Sequence, residues 1–198
     1  TGNDALISLA GPANKQGRII ADNICGGDSR YLGSQGSSVI KVFDMTAATT
    51  GINETNAKKS GLEVDTVILS PMSHAGYYPG GKVMTMKVVF EKETYRLLGA
   101  QIIGYEGVDK RIDVLATAIH AGLKATQLKD LDLAYAPPYS SAKDPVNMAG
   151  FMIDNIAKGT LKQWHLEDMD KISRDKSVVL LDVRTVGEFN RGHMDGFK

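Results

Sequence analysis

The 198-residue sequence holds one cysteine, one tryptophan and no surplus of either charge. A lone Cys25 can build neither an internal disulfide framework nor a Cys-x-x-Cys metal site, which suits a reducing, cytoplasmic setting. Lys+Arg and Asp+Glu both number 23, so there is no basic excess to neutralise phosphates and no nucleic-acid partner is expected. Wholly apolar runs reach four residues, as in Val178 to Leu181, far short of the ~20 residues of a membrane helix, and no membrane partner is expected. Internal repeats and low-complexity segments are also missing. What is present is ordinary for a folded protein: 42% hydrophobic and 23% charged residues, on a chain long enough for one core and an appendage. It opens at Thr1-Gly2 without an initiator Met or a targeting segment, and it stops at Lys198 just after a strand and a helix start. Part of a longer polypeptide is the expectation.

Periodicity outlines the elements. Pro12 suits a first helical turn, and Ala13, Gly17, Ile20, Ala21 and Ile24 follow at helical spacing up to Gly26-Gly27. Residues 28–38 are polar and rich in Gly and Ser. Strands are read at Val39–Phe43 and Val64–Leu69, with a short helix between them from Asn53 to Ser60. Met84, Met86, Val88 and Phe90 alternate with their neighbours, and after the turn at Lys92-Glu93-Thr94 a second apolar run spans Leu97 to Tyr105; together they read as a hairpin. Asp109 is a candidate cap for a helix striped by Ile112, Leu115, Ala116 and Ile119. Asp144-Pro145 starts another, with Val146, Ala149, Ile153 and Ile156 on one face. Antiparallel strands with helices on one side give an α+β class. Ser177–Val183 reads as a short buried strand of a different kind, so a further domain is expected to start near residue 166.

Chemistry is harder to read. The segment from Pro12 to Arg18 opens a helix whose free N–H groups suit an electron-rich oxygen, or it is an ordinary helix start. His74-Ala75-Gly76-Tyr77-Tyr78-Pro79 is a loop of hydrogen-bonding aromatics, or a packed corner. Pro137-Pro138 stiffen the chain before Tyr139, whose phenol could donate a proton or stabilise a thiolate, or serve as core. His120, His165 and His193 lack partners at ligand spacing, so no metal is expected. Cys25 has no neighbouring His to activate it. Nothing resembles a Ser-His-Asp set, a phosphate-cradling Gly loop or paired catalytic carboxylates.

Taken together, LAGPANKQGRIIADNI (9–24), HAGYYPGG (74–81), LLGAQIIGYEGVDKRIDVLATAI (97–119) and LAYAPPYSSAKDPVNMAGF (133–151) resemble the C-terminal part of coenzyme A-disulfide reductases. These are pyridine nucleotide-disulfide oxidoreductases that use FAD, NADH or NADPH and one redox cysteine. LLDVRTVGEFNRGHMDGF (180–197) resembles the opening of a rhodanese domain, which points to the fused subgroup acting on CoA disulfide, CoA persulfide or polysulfide. The resemblance implies three parts: residues 1–36 as the end of an FAD-binding domain, 37–159 as a dimerisation domain, and 160–198 as a linker and truncated rhodanese start. It places the FAD fingerprint, the nucleotide domain and the redox cysteine before Thr1 and the rhodanese cysteine beyond Lys198, so these 198 residues alone should not catalyse the reaction. Leu9, Ala10, Gly11 and Pro138 are the implied flavin contacts. Tyr78 and Tyr139 are the implied catalytic tyrosines, sent into the partner's active site of a homodimer, with Tyr77 an alternative to Tyr78. Asn14, His74 and Asn147 are implied contacts to coenzyme A. An NADH oxidase or peroxidase of the same superfamily, and a non-catalytic dimerisation module, are the competing readings.

Overall fold

The computed structural model describes residues 6–198. They fall into two compact units, with the boundary in the sequence between Lys158 and Gly159. The first is built on a five-stranded antiparallel sheet, β1 (Ser38–Val42), β2 (Met45–Gly51), β3 (Val64–Leu69), β4 (Thr85–Glu91) and β5 (Leu97–Gly104), in the order β1-β2-β5-β4-β3. The β4–β5 hairpin lies centrally, as its alternation predicts, with a bulge at Val89/Phe90. Helices α1 (Ala10–Ile24), α2 (Glu54–Lys59), α3 (Val108–His120) and α4 (Pro145–Ala157) complete the unit. No helix among the described residues is long and apolar enough to cross a membrane.

Successive strand residues face opposite sides of a sheet, and the two faces here differ. Met86, Val88, Ala100 and Ile102 pack beneath Ile112 and Leu115 of α3 and Val146, Ala149 and Ile153 of α4, forming the main core. On the other face Ala57 of α2 meets Val89 and Val64 in a smaller cluster. The α+β architecture is as the pattern predicts, with α3 and α4 on one side and the short α2 added on the other.

Four local readings are corrected. Phe43 is not strand: it takes φ 53° in the two-residue turn before β2. The sequence of β2, MTAATTG, has no apolar alternation, and so the strand escaped a reading based on period. Gly107, not Asp109, caps α3. Its φ is 69°, and a Cβ there would lie 2.1 Å from Arg111 Nη1. Residues 177–183 form no strand; the second unit holds only short helices, α5 (Met169–Ile172) and α6 (Val186–Arg191) among them. A strand needs a neighbour, and this segment finds one residue: Lys198 N donates to Leu180 O (3.0 Å) while Asp182 N donates to Lys198 O (2.9 Å), the bonding of a parallel ladder.

Candidate functional site

A cleft of about 420 Å³ opens where two loops cross the N-terminus of α3, lined among others by His74, Lys110, Arg111, Tyr135, Pro138 and Tyr139. One loop follows β3 and carries His74, Tyr77 and Tyr78. The other precedes α4 and carries Tyr135 and Tyr139. Ala75 N donates to Ser140 O at 3.0 Å and joins them directly.

Beneath the cleft lies a buried ion pair. Arg111, 1% exposed, donates from Nη2 to Asp144 Oδ2 (2.9 Å) and from Nε to the same oxygen (3.2 Å). The same Nη2 also reaches Ser73 O (2.9 Å), Tyr139 O (3.3 Å) and Ser140 Oγ (3.2 Å), while Nη1 donates to Gly107 O (3.2 Å). Ser140 Oγ donates to Asp144 Oδ2 at 2.6 Å, and Asp144 Oδ1 accepts from Val146 N, capping α4. Burial alone pushes the Asp144 carboxyl up. The Ser140 hydroxyl, the Val146 N–H and the Arg111 guanidinium together outweigh it and hold the group below the usual carboxylate range. Neither residue is an obvious pair in sequence, being 33 apart. The available signal for Arg111 is a charge set three residues after Val108 and four before Leu115, inside the buried stripe of α3.

Above the pair, the hydroxyls of Tyr77 and Tyr135 lie 2.8 Å apart on exposed rings. Their mutual hydrogen bond, with some burial, raises the Tyr135 phenol above its ordinary value. So the structure pairs Tyr77 with Tyr135, not Tyr78 with Tyr139. Tyr78 turns edge-on to His74, ring centroids 5.6 Å apart. The Tyr139 ring is exposed, and its hydroxyl has no hydrogen-bond partner among the described residues. Tyr77 stood as an alternative in the sequence; Tyr135 did not, although it lies in the same motif four residues before Tyr139.

The remaining candidates scatter. His74 is buried, with Nδ1 3.1 Å from Ala75 O, and lines the cleft. Asn147, the other implied coenzyme A contact, is buried: its Nδ2 donates to Leu128 O and Leu131 O, and its Oδ1 accepts from Asp144 N. With both N–H groups of the amide engaged, the side chain ties α4 to the segment before it. Gly11 and Asn14 line a second cleft of about 1050 Å³, together with Arg18 of α1 and His120 of α3. Asn14 Nδ2 donates to Ala10 O. Pro138 lines the first cleft, so one chain does not bring it together with Gly11. At the start of α1, Leu9 provides no side-chain cap, the first turn holds no acidic group, and the space beside Gly11 is open. The Ala10 and Gly11 N–H groups, without a partner among the described residues, fit the electron-rich edge of a flavin.

With this geometry in place, comparison decides the family. The pyridine nucleotide-disulphide oxidoreductase dimerisation domain matches residues 37–145, more than half of the sequence. The chain belongs to that family. It is 38% identical over 148 residues to the coenzyme A disulfide reductase of Staphylococcus epidermidis, covering 74% of this chain and 33% of that protein. The reduced CoADR-RHD of Bacillus anthracis superposes over the whole chain with TM-score 0.94 and 46% identity, and over 36% of its own length. The NAD-dependent persulfide reductase of A. fulgidus does so with TM-score 0.89 and 40% identity, over 35% of its length. A water-forming NADH oxidase from Lactobacillus brevis is more distant, at 25% identity over 80% of the chain and 36% of its own, TM-score 0.75. This dimerisation-domain chain thus spans about a third of the length of the relatives it matches.

Proposed function

We propose that these residues are part of a flavin-dependent NAD(P)H reductase of CoA disulfide, CoA persulfide or polysulfide, to which they contribute the dimer contact and a pair of tyrosines. The observation that carries the reading is the Tyr77–Tyr135 hydroxyl pair, 2.8 Å apart, with Tyr135 lining the cleft. Reducing an S–S bond adds two electrons, breaks the bond and leaves charge on a departing sulfur. Two phenols aimed at one point can share a hydrogen bond with that thiolate, and the proton it finally takes can come from the same place. A bound flavin would supply the two electrons, drawn from NADH or NADPH. Ala10 and Gly11 would meet its edge through backbone N–H groups, with Leu9, whose own N–H donates to Ile7 O, beside them, where the dipole of α1 favours added negative charge. His74 borders the cleft and would shape the path of the CoA arm.

The tyrosines serve the partner's active site in this reading, as an isologous two-fold contact permits. The reductase reading is preferred to an oxidase because whole-chain likeness at 46% and 40% identity is to CoADR-RHD and a persulfide reductase. Residues 160–198 are read as a linker and the truncated start of a rhodanese domain, and a cytoplasmic location accords with the single cysteine.

The test is substitution in the full-length reductase. Tyr77→Phe and Tyr135→Phe should each lower kcat with CoA disulfide by roughly 10–1000-fold, the range for removing one transition-state donor, with flavin reduction by the nucleotide unchanged. Tyr139→Phe should change kcat less than about two-fold. Unchanged turnover in Tyr77→Phe and Tyr135→Phe would overturn the reading.

A further inference from the structure

We propose that Arg111 is a positioning residue whose guanidinium sets the separation of the Tyr77 and Tyr135 hydroxyls by clamping both tyrosine loops to α3. The proposal rests on the tyrosine reading above and goes beyond it, because Arg111 itself touches neither phenol.

The connectivity carries the argument. A single nitrogen, Arg111 Nη2, donates to Ser73 O, at the root of the Tyr77 loop, and to Tyr139 O and Ser140 Oγ, at the root of the Tyr135 loop. Its other two nitrogens fix the guanidinium from behind, on Asp144 and on Gly107 O. Asp144 in turn caps α4 and accepts from Ser140. Two loops that begin far apart in sequence therefore share one rigid anchor. A guanidinium is planar and its fork has fixed angles, so moving one loop requires moving the other or breaking bonds in a buried site. Lysine carries the same charge on a point donor and cannot hold Asp144 and four further oxygens in these directions. Tyr77 and Tyr135 are exposed and their rings gain little from packing, so their register comes from below.

The purpose of such a clamp is geometric. Two hydroxyls converge on one leaving sulfur only if both stay within hydrogen-bond reach of the same point, and a displacement of about 1 Å can cost on the order of 100-fold in rate.

The experiment uses the full-length reductase with Arg111→Lys, and Ser140→Ala as a milder variant that keeps the ion pair. Arg111→Lys should lower kcat for the disulfide by roughly 10–100-fold, and Ser140→Ala by a few-fold. The rate of flavin reduction by the nucleotide should be unchanged in both. In a Tyr135→Phe background, Arg111→Lys should add little, since the clamp acts through the tyrosine. Equal losses in both half-reactions, or full additivity with Tyr135→Phe, would reduce Arg111 to a structural residue and overturn the proposal. Should Arg111→Lys fail to fold, the same comparisons on Ser140→Ala decide it. If Tyr135→Phe alone leaves turnover intact, the tyrosine reading falls, and the clamp is judged by crystal structures of the variants. Hydroxyls moved beyond hydrogen-bond reach support it, and hydroxyls still 2.8 Å apart refute it.

Discussion

Asp144 illustrates how one side chain can serve an element and a site together. As an Asp before a Pro it is readable in the sequence as a helix start, and it does cap α4. That the same carboxylate pairs with Arg111 is not readable, because nothing in local spacing links positions on separate helices. The choice between Tyr77 and Tyr78 was closed to the sequence for a similar reason: adjacent residues in an irregular loop have no period to tell them apart. Arg111→Met would strand the Asp144 carboxylate, and the loss should be about 3–5 kcal/mol in urea unfolding. The pH dependence has a definite sign. Asp144 is held below its ordinary 3.8 in the folded chain, so the unfolded chain binds more protons between the two values. Its contribution is fully present above about pH 5 and fades as pH falls through 3.8 towards the folded value. Stability measured from pH 6 downward should fall less steeply in Asp144→Asn than in the parent.

At the scale of elements, strands β3, β4 and β5 and helices α3 and α4 follow directly from apolar period, since each has one face against the core. Strand β2 does not, because it relies on Thr and Ala and on close approach to β5. A Cβ on Gly99 would lie 2.0 Å from Ile52 O. Gly99→Ala must therefore push the two strands apart, and a loss of about 2–4 kcal/mol should appear as a lower midpoint in chemical denaturation. Helix α2 is fixed differently. Asn53 caps it, and Glu54 binds Lys58 of its own helix and Lys87 of β4, which hold the Glu54 carboxyl at about 2. Asn53→Ala should cost about 1 kcal/mol. Glu54→Gln should cost less than that and should flatten the dependence of stability on salt, because a partly exposed pair is screened.

For the whole molecule, the boundary after Lys158 separates a unit with two hydrophobic clusters from one in which most residues are exposed. Limited trypsin digestion should cut first between Lys158 and Lys176 and leave the sheet-bearing unit intact on a mass map. The open sheet face, with Ile40, Ile68 and Ile103 exposed and Gln101 Nε2 buried without a hydrogen-bond partner among the described residues, is more apolar than a solitary unit needs. Sedimentation at micromolar concentration should therefore show a symmetric dimer; a monomer alone would contradict it. Helix α1 has a different consequence. Fifteen residues long, it buries no side chain of its own, and a helix of that length is marginal in water without a surface to lie on. Its amides should exchange with deuterium far faster than those of β4 and β5, and slow only when another surface closes over Ile20 and Ile24. The first helix is then a gauge of assembly, readable by mass spectrometry with no label and no assay of activity.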